Sequence, residues 1–527
     1  MAPAGEAPEQ LQQECEDGKD ISRDDFPHCF LFGVATSAYQ VEGAAKDGGR
    51  GPSIWDVFSH TPGKIVDGRN GDIAVDQYHR YMEDVDSIAE MGFNVYRFSI
   101  SWSRIFPDGF GTEVNEEGLA YYNNLIDALL QKGIQPSVTL YHWDLPQKLH
   151  ESIGGWLNQE IVKCFTHYAE TCFSAFGDRV KQWITFNEPL QTAVNGYATG
   201  IFAPGRCSNR SLSSAGDSST EPYLVAHNQL LAHAATVDVY RKKFQGKQGG
   251  VIGITVDGEG AEPFTDTQED KLAAQRRLEF QFGWFLDPLF FGDYPASMRE
   301  KLGDRLPQFT PSVITLLRGS LDFIGVNHYT TRYVMPSKTK SEEDDFYDDQ
   351  EIHRIAEWEG KAIGERAASE WLYIVPWGLR KVLMWLTERY NRPPIYVTEN
   401  GMDDEDCEIT SLEAALRDTK RVNYFKGYLR SLAQAIREGA DVRGYFAWSL
   451  LDNFEWAQGY TKRFGLVFVD YQNDLKRHQK SSALWFADFL HRKQRKQNQD
   501  DQFFWLERQV EDTVLFLLYH RYTSHFD

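Results

Sequence analysis

Eight short runs of apolar and β-branched residues recur along this chain, and amphipathic stretches separate them. The runs occupy 30–36, 94–100, 135–141, 181–186, 251–256, 322–327, 394–398 and 442–448. Several are almost continuously hydrophobic, as strands buried on both faces must be. The stretches between them have helical spacing, most clearly over 78–91, 117–132, 159–176, 221–243, 378–390 and 419–438. In 117–132 the apolar side is Leu119, Tyr122, Leu125, Ile126, Leu129 and Leu130. Gly133 and Gly439 follow two of these stretches as helix stops. Eight strands alternating with helices predict α/β architecture closed as a (β/α)8 TIM barrel, a single domain with elaborated βα loops. The pattern alone also allows a doubly wound open sheet. The chain has 527 residues, which exceeds the ordinary length of one domain, but barrels of this kind run long as one unit.

The expected organisation is a polar N-terminal extension over 1–25, the barrel over 26–492 and a C-terminal extension over 493–527. The segment 337–370 is rich in charge, with Glu342-Glu343-Asp344-Asp345, and reads as a long solvated surface loop. A formal net charge of −22 disfavours nucleic acid and anionic membranes as partners. No apolar run approaches the ~20 residues that span a bilayer. The first twenty residues lack the apolar core of a secretory signal, so the expected location is the cytoplasm, with a trimmed secreted form as the alternative. The six cysteines form no CxxC pair, and no histidines have metal-binding spacing, so neither a zinc site nor another metal is expected. Glycine-rich stretches such as Gly48-Gly49-Arg50-Gly51 lack a P-loop or dinucleotide pattern, and no cofactor is implied. A homo-oligomer is compatible with these features.

In such barrels chemistry gathers at the C-terminal ends of the strands. Two segments there carry the strongest signal: Thr185-Phe186-Asn187-Glu188-Pro189 and Val397-Thr398-Glu399-Asn400-Gly401. Each places a carboxylate at the end of a buried strand, and a facing pair of carboxylates is suited to cleaving a glycosidic bond. The other strand ends carry Gln40 and Glu42, His142-Trp143-Asp144, Asn327-His328-Tyr329, and Trp448 followed by Asp452-Asn453-Phe454-Glu455-Trp456, while Arg97 lies within the second run. Amide, imidazole, carboxylate and indole groups together suit a neutral polyhydroxylated ligand, since hydroxyls need donors and acceptors and sugar faces stack on rings.

These residues resemble glycoside hydrolase family 1, the β-glucosidase family. The resemblance rests on 32–43, Arg97–Arg104, Leu140–Pro146, Thr185–Pro189, Asn327 with Tyr329, Val397–Gly401 and Trp448–Trp456, in this order along the chain. It implies a retaining β-glycosidase acting on small neutral β-glycosides such as cellobiose and aryl or alkyl β-glucosides. In that reading Glu188 is the acid/base and Glu399 the nucleophile, with Arg97 and Tyr329 favouring the ionised form of Glu399. Retaining enzymes hold the two carboxyls ~5–5.5 Å apart. Gln40, His142, Asn187, Asn327, Glu455 and Trp456 would bind the sugar, Asn187 at its 2-hydroxyl. Trp448 would form the stacking floor, and Trp371 would stand on the aglycone side. Glu455 would repel a phosphorylated sugar, and the carboxyl at Glu188 points to ordinary O-glycosides. Relatives of the secreted plant type pair Cys207 with a second cysteine in the following loop; this chain has none there. A transglycosidase using the same carboxylates and a non-catalytic sugar-binding protein are the alternatives.

Overall fold

The computed structural model describes residues 20–337, 339, 346–406 and 411–491. Eight parallel strands close into a barrel: β1 (Leu31–Ala35), β2 (Val95–Ser99), β3 (Gln135–Tyr141), β4 (Gln182–Asn187), β5 (Val251–Asp257), β6 (Phe323–Asn327), β7 (Ile395–Asn400) and β8 (Val442–Trp448). Strand neighbours follow chain order, and β8 pairs with β1 to complete the ring. The open-sheet alternative therefore fails. A closed barrel leaves no unpaired strand edge, which an open sheet of the same strands would expose.

Each strand is followed by a helix that covers it: α1 (Gln77–Glu90), α2 (Glu116–Gln131), α3 (Ile161–Phe176), α4 (Glu221–Tyr240), α5 (Gln268–Leu278), α6 (Pro376–Arg389), α7 (Thr419–Arg437) and α8 (Ser481–His491). The periodicity of α2 translates into packing: Tyr122, Leu125, Ile126 and Leu129 are buried, while Leu130 at the edge of the stripe is 39% exposed. Gly133 and Gly439 both have positive φ just past their helices, a conformation that costs glycine little. The range of α5 escaped the periodicity because it is charged over most of its length and buries Ala273, Ala274 and Arg277 rather than a stripe of large apolar residues.

The segment predicted as a loop over 337–370 is more ordered than expected in its described part. Ile352–Ile355 pairs antiparallel with Thr331–Pro336, which pairs in turn with Gly260–Pro263, and this small sheet packs on α5. Phe346 is buried against Trp284, ring centroids 5.3 Å apart. His353 and Arg354 in the middle of this strand are both exposed, so the ordered element lies behind a polar composition with no period-two pattern to reveal it. The run Glu342–Asp345 and the C-terminal segment 493–527 lie outside the described residues. At the other end, Ile21 and Phe26 are buried in the core, and Arg23 donates to the carbonyls of Pro27, His28 and Phe30. Among the described residues no helix is long and apolar enough to cross a membrane.

Candidate active site

The carboxyl ends of the strands surround one large cavity of about 740 Å³. Both glutamates reach it from strand ends where the pairing register slips: between Ile184 and Asn187 on β4, and between Val397 and Glu399 on β7. Such irregularities turn a side chain away from the plain inward–outward alternation. Glu188 also has φ +46°, a left-handed backbone conformation that costs a non-glycine residue energy and recurs at functional positions. Pro189 then starts a helix, Pro189–Tyr197, with φ already suited to a first turn.

The surroundings of the two carboxyls differ. Arg97 Nη1 donates to Glu399 Oε1 at 2.5 Å, and Tyr329 OH donates to Glu399 Oε2 at 2.6 Å. Glu188 makes no ion pair with a cation among the described residues. It accepts from Asn327 Nδ2 at 2.7 Å, is 7% exposed, and stands near two other carboxyls. Burial, then Asp257, then Glu399 hold Glu188 well above the usual carboxylate range. Burial raises Glu399 as well, but Arg97 and the hydroxyl of Tyr329 oppose it by stabilising the ion. In this pair the proton belongs on Glu188 and the charge on Glu399.

One hydrogen-bonded network holds these groups in place. Arg97 Nη2 donates to Asn187 Oδ1 at 2.5 Å, and Asn327 Nδ2 lies 3.1 Å from the same oxygen. Thr398 donates to Asn327 Oδ1 at 2.7 Å, fixing the amide orientation that serves Glu188. Asn187 Nδ2 and His142 Nε2 are 3.0 Å apart; burial, then Arg97, push the His142 imidazole well below its ordinary range, so it is neutral and accepts from the amide.

The sugar-binding residues expected from sequence fall into two layers. His142, Asn327, Trp448, Glu455, Trp456 and Trp371 line the cavity with the two glutamates and Tyr329. Gln40, Asn187 and Arg97 are fully buried just behind it. Gln40 Nε2 donates to Asn453 Oδ1 and to the Phe454 carbonyl, both at 3.0 Å, and reaches Glu455 Oε2 at 3.4 Å. Trp456 has φ +47° and is wedged between Trp55 and Trp143, with centroids 4.6 and 4.5 Å away. Trp371 differs from the other indoles: it is 47% exposed, stands at the rim, and meets the Tyr329 ring edge-on at 5.9 Å. Burial, then Asp403 and Glu399, push the Glu455 carboxyl up to about 8. Its neutral form can both donate to and accept from hydroxyls.

Sequence reasoning missed two groups here. Asp257 lines the cavity at the end of β5, one residue beyond the run as read from sequence. Gln191, one turn after Glu188, donates to Asp257 Oδ2 at 2.6 Å. Extending the check of strand ends to the fifth run would have found the carboxylate; no sequence signal marks the glutamine.

A two-carboxyl site at the mouth of a parallel barrel, ringed by indoles and amides, is that of a glycoside hydrolase. The model of glycosyl hydrolase family 1 matches residues 22–495, and the chain belongs to that family. It is 63% identical over 470 residues to β-glucosidase 42 of Arabidopsis thaliana, covering 89% of this chain and 94% of that one. To β-glucosidase 4 of Oryza sativa subsp. japonica it is 59% identical, covering 89% and 96%. Among solved structures, rice Os3BGlu6 β-glucosidase superposes with a TM-score of 0.88 at 54% identity, covering 89% of this chain and 99% of that one. A family 1 β-glucosidase of the fungus Humicola insolens, solved with glucose, gives 0.87 at 47% identity, covering 90% and 99%.

Proposed function

We propose that Glu399 and Glu188 are the nucleophile and the acid/base of this family 1 β-glucosidase, acting on terminal non-reducing β-D-glucosyl residues of small neutral glucosides. The observation that carries the proposal is the asymmetry of the pair: Arg97 and Tyr329 hold one carboxyl as an ion, while burial and like charge keep the proton on the other. The Glu399 carboxylate attacks the anomeric carbon as Glu188 protonates the departing glycosidic oxygen. The covalent glycosyl-enzyme neutralises Glu399, which lowers the proton affinity of Glu188. The resulting carboxylate then takes a proton from water, whose oxygen attacks the same carbon and restores Glu399. Two displacements return the original configuration.

The sugar would sit over Trp448, with His142, Glu455 and Trp456 at its hydroxyls and Gln40 orienting Glu455 from behind. Asn187, anchored by Arg97 and Asn327, would meet the 2-hydroxyl, where contacts tighten as the oxocarbenium-like transition state forms. Near Glu455 the neighbouring charges are Asp403 and Glu399. A phosphate placed there would meet acidic groups, which favours an unphosphorylated sugar. The exposed indole of Trp371 would stack on the aglycone. For location we propose the cytosol, supported by the free thiol of buried Cys207; a fluorescent fusion tests this.

The test of the assignment is to trap the intermediate with a 2-deoxy-2-fluoro-β-glucoside and locate the label by peptide mass spectrometry. Label on Glu399 is expected, and label on another residue would refute the nucleophile. Glu399→Gln is expected to lower kcat/KM by roughly 10⁴-fold or more, about 5 kcal/mol of barrier, with the circular dichroism spectrum unchanged.

A further inference from the structure

Asp257 is a carboxyl that the two-step reaction does not use. It ends β5 beside β4, and the Glu188 amide donates to the Thr255 carbonyl at 2.9 Å, two residues before it. Asp257 and Glu188 therefore rise from adjacent strands into the same cavity. Asp257 is 7% exposed; Gln191 occupies its Oδ2, while Oδ1 is buried with no hydrogen-bond partner among the described residues. A buried carboxyl with one unpaired oxygen costs stability, and a group kept at that cost beside a cavity calls for an explanation.

We infer that Asp257 is a positioning residue for the acid/base proton: its negative charge beside Glu188 keeps that carboxyl protonated and sets the alkaline limit of catalysis. The inference rests on the proposed role of Glu188. The charged groups around the pair support this order of ionisation. Arg277 of α5 favours the charge on Asp257, although Arg277 also serves Glu259, which takes Arg354 as well. Arg97 of β2 is engaged by Glu399 and Asn187, at the other side of the pair. Glu399 of β7 raises both Glu188 and Asp257. His328, after β6, is pushed by burial to about 4 and is neutral, and Tyr329 donates to Glu399. Burial holds Asp257 up to about 7, with Gln191 opposing, so it ionises ahead of Glu188, whose raised proton affinity owes more to Asp257 than to Glu399. Two interacting carboxyls in one cavity release their protons in two steps, and the second belongs mainly to Glu188.

Asp257→Asn keeps an oxygen for Gln191 and removes only the charge. The test is the pH dependence of kcat/KM on two substrates: an alkyl β-glucoside, which needs its leaving oxygen protonated, and 2,4-dinitrophenyl β-glucoside, which does not. With the alkyl substrate the alkaline limb is expected about one pH unit lower in the variant, and with the dinitrophenyl substrate it should stay in place. Asp257→Ala should reproduce the shift, since it too removes the charge. An alkaline limb that stays put with the alkyl substrate in both variants would overturn the inference, as would an equal shift on both substrates. Glu188→Gln separates this outcome from failure of the underlying assignment. It should lose roughly 10³-fold on the alkyl substrate and far less on the dinitrophenyl one; equal losses would instead remove Glu188 as the acid.

Discussion

Ionisation at this site is decided by which side chains touch which oxygen. Tyr329 and Arg97 each take one oxygen of Glu399, and Asn327 donates to Glu188. Removing the phenol by Tyr329→Phe leaves Glu399 Oε2 without its donor. The proton affinity of Glu399 rises, and under its proposed role as nucleophile the acidic limb of kcat/KM is expected to move to higher pH. A hydrogen bond to a charged group contributes about 1.5–3 kcal/mol, so kcat/KM at neutral pH should fall roughly ten- to a hundredfold. A pH–rate profile of the variant against the parent measures both effects, and an unmoved acidic limb would count against the Tyr329 contact. Much of this constellation is legible in the sequence, because Glu188, Glu399 and Tyr329 follow an apolar run by one or two positions, while Arg97 and Asn327 are polar residues inside such runs. The layering is not: Gln40 and Asn187 look equivalent to His142 in sequence, yet they lie behind the cavity wall.

Short elements outside the barrel set the walls of the pocket. The helix Ile54–Ser59 is capped reciprocally: Ser53 accepts from the Asp56 amide, and Asp56 accepts from the Ser53 amide at 2.6 Å and from Arg50 at 2.9 Å. This helix carries Trp55, which supports Trp456. Ser53→Ala should destabilise the protein by about 1 kcal/mol, read as a lower urea midpoint at unchanged slope, with KM rising more than kcat falls because the indole wall loosens. A variant with the parent's midpoint and KM would show that the cap does not support this wall. At the end of β7, Gly401 is required by close approach rather than by its dihedrals: a Cβ there would meet the Trp448 carbonyl at 2.0 Å. The motif ending in Gly401 thus packs the end of β7, which carries Glu399, against the end of β8, which carries Trp448. The sequence pattern located the eight barrel strands to within one or two residues, because strands buried on both faces read as near-continuous apolar runs, but it gave no sign of the helix Ile54–Ser59. It missed the strand Ile352–Ile355, whose partners are distant in sequence and whose composition is that of solvated chain.

Across the whole molecule, buried titratable groups determine the response to acid. His233 and His328 are buried, and burial pushes both down to about 4 from about 6.5. A folded value below the unfolded one means that the unfolded chain binds more protons between those limits. The stability these two imidazoles contribute is therefore complete above about pH 6.5 and is lost progressively as the pH falls towards 4, while buried carboxyls with raised proton affinity, such as Asp257 and Glu455, act in the opposite sense. Asp452 adds to this lower down: burial opposes its ionisation, but Lys480 and Arg463 at 2.7 Å outweigh it and depress its proton affinity. Its contribution is present above the ordinary carboxylate range and is lost as the pH drops below it. Against the parent, His233→Gln is expected to lose less melting temperature between pH 7 and pH 4, because it removes one of these imidazoles, and an identical pH dependence would contradict the burial of that ring. Asp452 also ties the loop after β8 to Lys480 at the foot of α8, so this acid sensitivity falls on the contact that follows barrel closure.

By itself the sequence determined the eightfold alternation and the residues at the strand ends. Both are local properties: hydrophobic period and the position of a polar side chain relative to an apolar run. It also carried the family motifs that point to a paired-carboxylate glycosidase. Only the tertiary structure decided between a closed barrel and an open sheet, because closure depends on β8 pairing with β1 across the length of the chain. It alone assigned unequal environments to two similar glutamates and placed a third carboxyl, Asp257, beside one of them. Those outcomes depend on burial and on charges brought together from remote segments, and neither is a property of any stretch of sequence.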